Sequence, residues 1–242
     1  MQKTLCFDFG NTRLKAGLFN DDDFEKEIKL TDDDVATIEN LIAVYQPQKT
    51  ILSSVINHNA AIEGILSHHS KFHKLSHLTK VNFTTPVGKP ETIGTDRLAL
   101  SAAAVHFYPK TNNLIIALGS CITYNFINQY HQFIGGSISP GMEMRFKSLQ
   151  MFTAKLPLIE KDWNFPLLGY DTKTNIQSGV LAGMSYEIQG FIEAYEQKYN
   201  NFNVVLTGGD TMHFAYRFKK KIFADSNFLY KGLYALSELN NC

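Results

Sequence analysis

The sequence predicts an α/β protein built as two halves of one plan. Strand patterns alternate with helical ones along the first hundred residues. The chain opens on an apolar strand, a glycine–hydroxyl turn and further strands, and the same order starts again at Asn113. The repetition lies in the elements, not in the residues, and it divides the chain into domains 1–111 and 112–242.

Each element has its own signal. Leu5 to Asp8 is an apolar run ending in a carboxylate, Gly10-Asn11-Thr12 is a turn, and Leu14, Ala16 and Leu18 alternate with Arg13, Lys15 and Gly17. That reads as a hairpin, with Gly and Asn supplying the left-handed backbone that such turns favour. Phe24 to Leu30 adds a third strand. Asp32-Asp33-Asp34 starts a helix whose apolar residues, from Val35 to Tyr45, recur with helical spacing until Pro47. Lys49 to Val55 is a buried strand, His58 to His69 a helix and Phe72 to Leu78 a strand. Asn82 to Ile93 is an irregular loop that leads to a strong helix former, Gly94 to Val105, with Thr95 as its N-cap and Asp96-Arg97 in its first turn.

In the second half, Leu114–Leu118, Ile122–Ile127 and Gln132–Ile138 are strands, the first two separated by Gly119-Ser120. Gly135-Gly136-Ser137-Ile138-Ser139-Pro140-Gly141 leads into a helix near Met142. Lys155 to Tyr170 is loop, and Thr174 to Tyr199 is a long amphipathic helix. A strand over Asn203–Leu206 ends in Thr207-Gly208-Gly209-Asp210. A short helix, the strand Ile222–Ala224 and the helix Asn227–Leu239 close the chain.

Composition narrows the function classes. The 242 residues are 44% hydrophobic and 19% charged, with a formal net charge of zero. That balance steers toward neither nucleic acid nor anionic membranes. The run Arg217, Lys219, Lys220, Lys221 reads as a solvated face or helix end. Three cysteines, Cys6, Cys121 and Cys242, suit neither a disulfide framework nor a zinc site; Cys6 and Cys121 read as buried thiols. The histidines lack metal-ligand spacing. No leader or membrane-length apolar run is visible, so a cytoplasmic protein is expected.

The chemistry-bearing residues admit a plain and a functional reading. The turn at Gly10 is a simple hairpin turn, or a phosphate cradle beside which Asp8 holds a hydrated Mg²⁺. Asp96-Arg97 is a helix-terminal acid beside a surface ion pair, or a general base beside a substrate-binding cation. Thr172 is a helix N-cap or a ligand contact.

Taken together, Asp8-Phe9-Gly10-Asn11-Thr12, Gly119-Ser120 and Thr207-Gly208-Gly209 resemble the three turns of the actin, sugar kinase and heat-shock chaperone ATPase superfamily. Gly94-Thr95-Asp96-Arg97, Gly135 to Gly141, Ala154-Lys155-Leu156-Pro157 and Thr172 to Gly179 narrow this to a resemblance to type III pantothenate kinase, running the length of the chain. The resemblance implies two duplicated ribonuclease H-like (actin-like ATPase) domains, each a mixed five-stranded sheet with helices, with ATP in the cleft. It implies transfer of the ATP γ-phosphate to pantothenate, the first step of coenzyme A synthesis, in a homodimer whose long helix packs at the interface.

Residue by residue, the resemblance gives ATP binding to Asp8, Phe9, Gly10, Asn11, Thr12, Arg13, Leu14, Lys15 and Ser120. It gives substrate binding to Gly94, Thr95, Asp96, Arg97 and Thr172, catalysis to Asp96, and Mg²⁺, through water, to Asp8. The family aspartate that helps bind K⁺ or NH₄⁺ falls here at Ala117, and a family tyrosine near pantothenate falls at Val87. Those departures keep two other readings in play: a nucleotide-binding regulator of the same fold, and a related small-molecule kinase.

Overall fold

A computed structural model describes residues 2–86, 88–218 and 220–241; Val87, Lys219 and Cys242 lie outside the described residues. The chain divides into two compact units. The first comprises Met1–Thr111, Asn125–Gly135 and Asn227–Cys242, and the second Asn112–Tyr124 and Gly136–Ser226.

The first unit holds a five-stranded sheet. Its strands are β1 (Lys3–Phe9), β2 (Leu14–Asn20), β3 (Asp23–Leu30), β4 (Lys49–Ser54) and β5 (Lys71–Lys74), in the order β3-β2-β1-β4-β5. β1–β2–β3 is an antiparallel meander, whereas β4 and β5 add in parallel after helical crossovers. The crossovers are α1 (Val35–Tyr45) and, after β4, α2 (Ala61–His69).

Alternation along β1 decides what each face carries. Leu5, Phe7 and Phe9 join Ala16 and Leu18 of β2 in an apolar core with Ile38 and Ile42 of α1 and Ile62 and Leu66 of α2. Cys6 and Asp8 therefore point to the opposite face, which is covered by α3 (Thr95–Phe107) and α8 (Phe228–Asn240). Those two helices cross so closely that a Cβ on Gly232 would lie 2.0 Å from the Ala99 carbonyl oxygen.

The second five-stranded sheet has strands β6 (Asn112–Leu118), β7 (Cys121–Ile127), β8 (Phe133–Pro140), β9 (Phe202–Thr207) and β10 (Phe223–Ala224), in the order β10-β9-β6-β7-β8. Read from its meander end this is the order of the first sheet. The opening strand is again central, and two parallel strands lie on one side of it. Helices α4 (Met142–Met151), α5 (Thr172–Gln177), α6 (Gly183–Lys198) and α7 (Thr211–Phe214) belong to this unit.

Several expectations are corrected. Gly94, not Thr95, is the N-cap of α3, and Thr95 is its first helical residue. Asp171 caps α5 by accepting from the Thr174 N–H, so the long helix starts at Thr172 and passes through a π-helical segment, Ser178–Ala182, before α6. α2 begins at Ala61. His58 lies before it, with Nδ1 2.9 Å from the Ser54 hydroxyl and Nε2 3.0 Å from Glu63. β5 stops at Lys74, and Leu78 is exposed. Cys6 is buried, but Cys121, beside the Gly119-Ser120 turn, is only half-buried. In the basic run, Arg217 is exposed just past the end of α7, as expected of a helix end, and lies 4.6 Å from the Trp163 ring, while Lys220 pairs with Glu196 at 2.6 Å. Among the described residues, no helix is long and apolar enough to cross a membrane.

Candidate active site

The site in the first unit grows from the register of its sheet. Asp8 is the penultimate residue of β1 and pairs with Lys15 of β2 on one side and Ser53 of β4 on the other. Cross-strand partners share a face, so Lys15 and Ser53 flank Asp8. The Ser53 hydroxyl lies 3.0 Å from the Thr95 hydroxyl, which fixes the start of α3 over this face. The Gly10 N–H donates to the Arg13 carbonyl at 3.1 Å, closing the turn and leaving Asn11, Thr12 and Arg13 exposed. No residue from Phe9 to Leu14 has a positive φ, so the left-handed backbone expected of Gly10-Asn11 is not used.

Here the charge of one carboxylate acts on another. Burial, and next the Asp96 charge, push the Asp8 carboxyl up to about 7, while Lys15 opposes the rise and Glu27 adds to it. Burial also raises Asp96, against the backbone N–H and the guanidinium of Arg97. A Cβ on Gly94 would come within 2.6 Å of Asp96 Oδ1, so a larger residue there would push the carboxylate out of this position. A hard cation suits this pair of oxygen donors. Among the described residues there is no group of three or more His, Cys, Asp and Glu placed to hold a metal ion, so these side chains alone form no cage. Such an ion would keep waters or take phosphate oxygens.

Arg97 is held as well. Its Nε donates to Asn125 Oδ1 at 2.6 Å, and its guanidinium lies 5.4 Å from the Phe133 ring. Lys15 Nζ donates to Glu27 at 2.8 Å, and the Tyr230 hydroxyl donates to the same carboxylate at 3.1 Å. Asn125, Phe133, Glu27 and Tyr230 are absent from the sequence reading. Asn125 carries a signal, a buried amide in a largely apolar strand; the others carry none, because their partners are remote in sequence.

The second unit places Ser120 and Thr172. Gly119-Ser120 joins β6 to β7, the Gly119 N–H donating to the Cys121 carbonyl and the Gly141 N–H to the Ser120 carbonyl, each at 3.1 Å. A Cβ on Gly141 would lie 2.2 Å from the Gly119 carbonyl oxygen. Gly208 has φ +96°, and a Cβ there would meet the Leu118 carbonyl oxygen at 2.4 Å, so the third glycine turn lies against the second. Thr172 is exposed, and with Arg145, Leu149, Asn175 and Val180 it lines a cavity of about 620 Å³.

Ala117 is the penultimate residue of β6, as Asp8 is of β1. It pairs with Thr207, whose buried hydroxyl has no hydrogen-bond partner among the described residues. A methyl group offers a cation no oxygen, so these residues do not fit the carboxylate-held K⁺ or NH₄⁺ of the resemblance.

A family model described as type III pantothenate kinase matches residues 4–194. A type III pantothenate kinase of Christiangramia forsetii is 40% identical over 238 residues, covering 98% of each chain. A Campylobacter jejuni structure described as a Baf family transcriptional activator superposes with a TM-score of 0.61 at 21% identity, covering 98% of each chain. A glucokinase from an Antarctic psychrotroph superposes with a TM-score of 0.52 at 9% identity, covering 99% of each chain. At those identities the two structures speak for the fold, that of the sugar kinases and actin-like ATPases.

Proposed function

The chain belongs to the type III pantothenate kinase family, and from that premise we infer how its residues share the transfer of the ATP γ-phosphoryl group to the pantothenate hydroxyl. Phosphoryl transfer asks a protein for positioning and charge neutralisation more than for covalent chemistry. The exposed turn Gly10–Arg13 and the Gly119-Ser120 turn offer backbone N–H groups to phosphate oxygens. Phe9 and Leu14 frame the first turn, and Lys15 adds a cation beside it.

Asp96 takes the proton of the substrate hydroxyl as the oxygen attacks phosphorus. Its raised pKa brings a carboxylate nearer the operating range of a general base. Gly94 and Thr95 shape the approach to it. Arg97, fixed by Asn125 and Phe133, binds substrate or steadies the charge developing on its oxygen. Thr172 contacts pantothenate. When bound, Mg²⁺ neutralises phosphate charge, and Asp8 would hold it through water. Activity is independent of K⁺ or NH₄⁺, a reading supported by Ala117. The reading extends to a cytoplasmic homodimer, for which the exposed Met151, Phe152, Leu168 and Tyr170 offer apolar surface.

The observation that carries this function is the half-buried Asp96 carboxylate at the head of α3, on the face of the sheet to which Asp8 points. The test is an ADP-release assay with pantothenate, with 4′-phosphopantothenate identified by mass spectrometry. ATP consumption without that product would refute the assignment.

A further inference from the structure

Glu187, on α6, is absent from the sequence reading and lies within no motif of the site. Its Oε1 accepts from the Tyr124 hydroxyl at 2.9 Å and from the Ser139 hydroxyl at 2.5 Å, and its Oε2 accepts from the Arg145 guanidinium. Arg145 Nε donates in turn to the Pro140 carbonyl at 2.8 Å. One carboxylate thus ties β7, the end of β8 and the head of α4 to α6. Burial acts to raise its pKa, but the bonds from Ser139, Arg145 and Tyr124 outweigh that and hold it below the ordinary glutamate range.

The tied segment, Ser139-Pro140-Gly141, is the one on which the Gly119-Ser120 turn rests with no room for a Cβ. The Gly141 N–H donates to the Ser120 carbonyl at 3.1 Å and its Cα sits directly against the Gly119 and Ser120 carbonyls, so a shift of Gly141 is passed to the turn. We propose that Glu187 is a positioning residue for ATP: by clamping Ser139, Arg145 and Tyr124 it fixes Gly141, and through Gly141 the Gly119-Ser120 turn that receives phosphate. This rests on the assignment of Ser120 to ATP binding made above.

The test compares wild type, Glu187→Gln and Glu187→Ala in two assays: KM for ATP against KM for pantothenate, and calorimetric binding of a non-hydrolysable ATP analogue. In Glu187→Ala, the KM for ATP and the analogue Kd should rise about tenfold while the KM for pantothenate moves much less. Glu187→Gln keeps an acceptor for Tyr124 and Ser139, and should recover part of the loss. A parallel rise in both KM values, or unchanged analogue binding, overturns the proposal. Should Glu187→Ala not fold, Tyr124→Phe removes one donor and keeps the ring stacked on Phe191 at 4.0 Å. It should weaken analogue binding about two- to threefold, and unchanged binding there also overturns the proposal. Wild type that binds the analogue without phosphorylating pantothenate would refute the kinase assignment instead, and the binding series would still decide the clamp.

Discussion

The turns that follow β1 and β6 occupy the same place in two sheets of one strand order, yet they are built in opposite ways. Both strands show the same burial along their length, with the penultimate residue partly exposed at the mouth of the turn. In the first sheet that residue is Asp8 and the turn beyond it is open. In the second it is Ala117, and the turn is pressed against the backbone of Gly141. Duplication has therefore kept the location and not the chemistry. The first turn should be sensitive to charge and the second to volume.

The largest effect expected is on the charged side. Asp96→Asn keeps the shape of the residue and removes the base, and kcat should fall about 10²–10⁴-fold in the ADP-release assay. Turnover close to wild type would take Asp96 out of its role.

On the volume side, Gly141→Ala drives a methyl group into the Gly119 carbonyl. Overpacking of this kind costs about 1–3 kcal/mol, so the melting temperature should drop by several degrees and the KM for ATP should rise. The same substitution at Gly10 meets only the Arg13 carbonyl, at 3.4 Å, and should cost less. Equal losses would erase the contrast.

Stability against pH separates the two strand ends further. The folded state holds a proton on Asp8 up to about pH 7, whereas the unfolded carboxyl releases it near 3.8. The metal-free fold therefore loses stability as pH rises between those values, and the cost is complete above the upper one. In EDTA at pH 8, Asp8→Asn should melt a few degrees above wild type, with the gap closing near pH 4. Ala117 brings no such slope.

The smallest effect expected is in the choice of salt. With a methyl group where the family carboxylate would stand, rates in K⁺ and Na⁺ buffers at equal ionic strength should agree within experimental scatter. A strong K⁺ requirement would show that other oxygens hold the ion.

What the sequence disclosed was local. The hairpin at Gly10, the placement of Asp96-Arg97 in a first helical turn and the Gly-Gly-Ser-Ile-Ser-Pro-Gly approach to α4 are encoded by neighbouring residues, and the structure contains them. The supports were illegible for the opposite reason. Arg97 meets Asn125 across 28 residues of chain, Glu187 meets Ser139 across 48, and Tyr230 meets Glu27 across 203. No periodicity or turn rule connects such partners; only the folded sheet order does. The cap of α3 shows a smaller failure. Thr95 has the better capping side chain, but its hydroxyl is engaged with Ser53, and the cap passes to Gly94.

The crossing at Gly232 has a genetic corollary. Every amino acid other than glycine carries a carbon where the Ala99 carbonyl oxygen already sits, on the helix that bears Asp96. A glycine codon becomes another residue, or a stop, whenever its first or second base changes. At this one site the gene is free to drift only in the third letter.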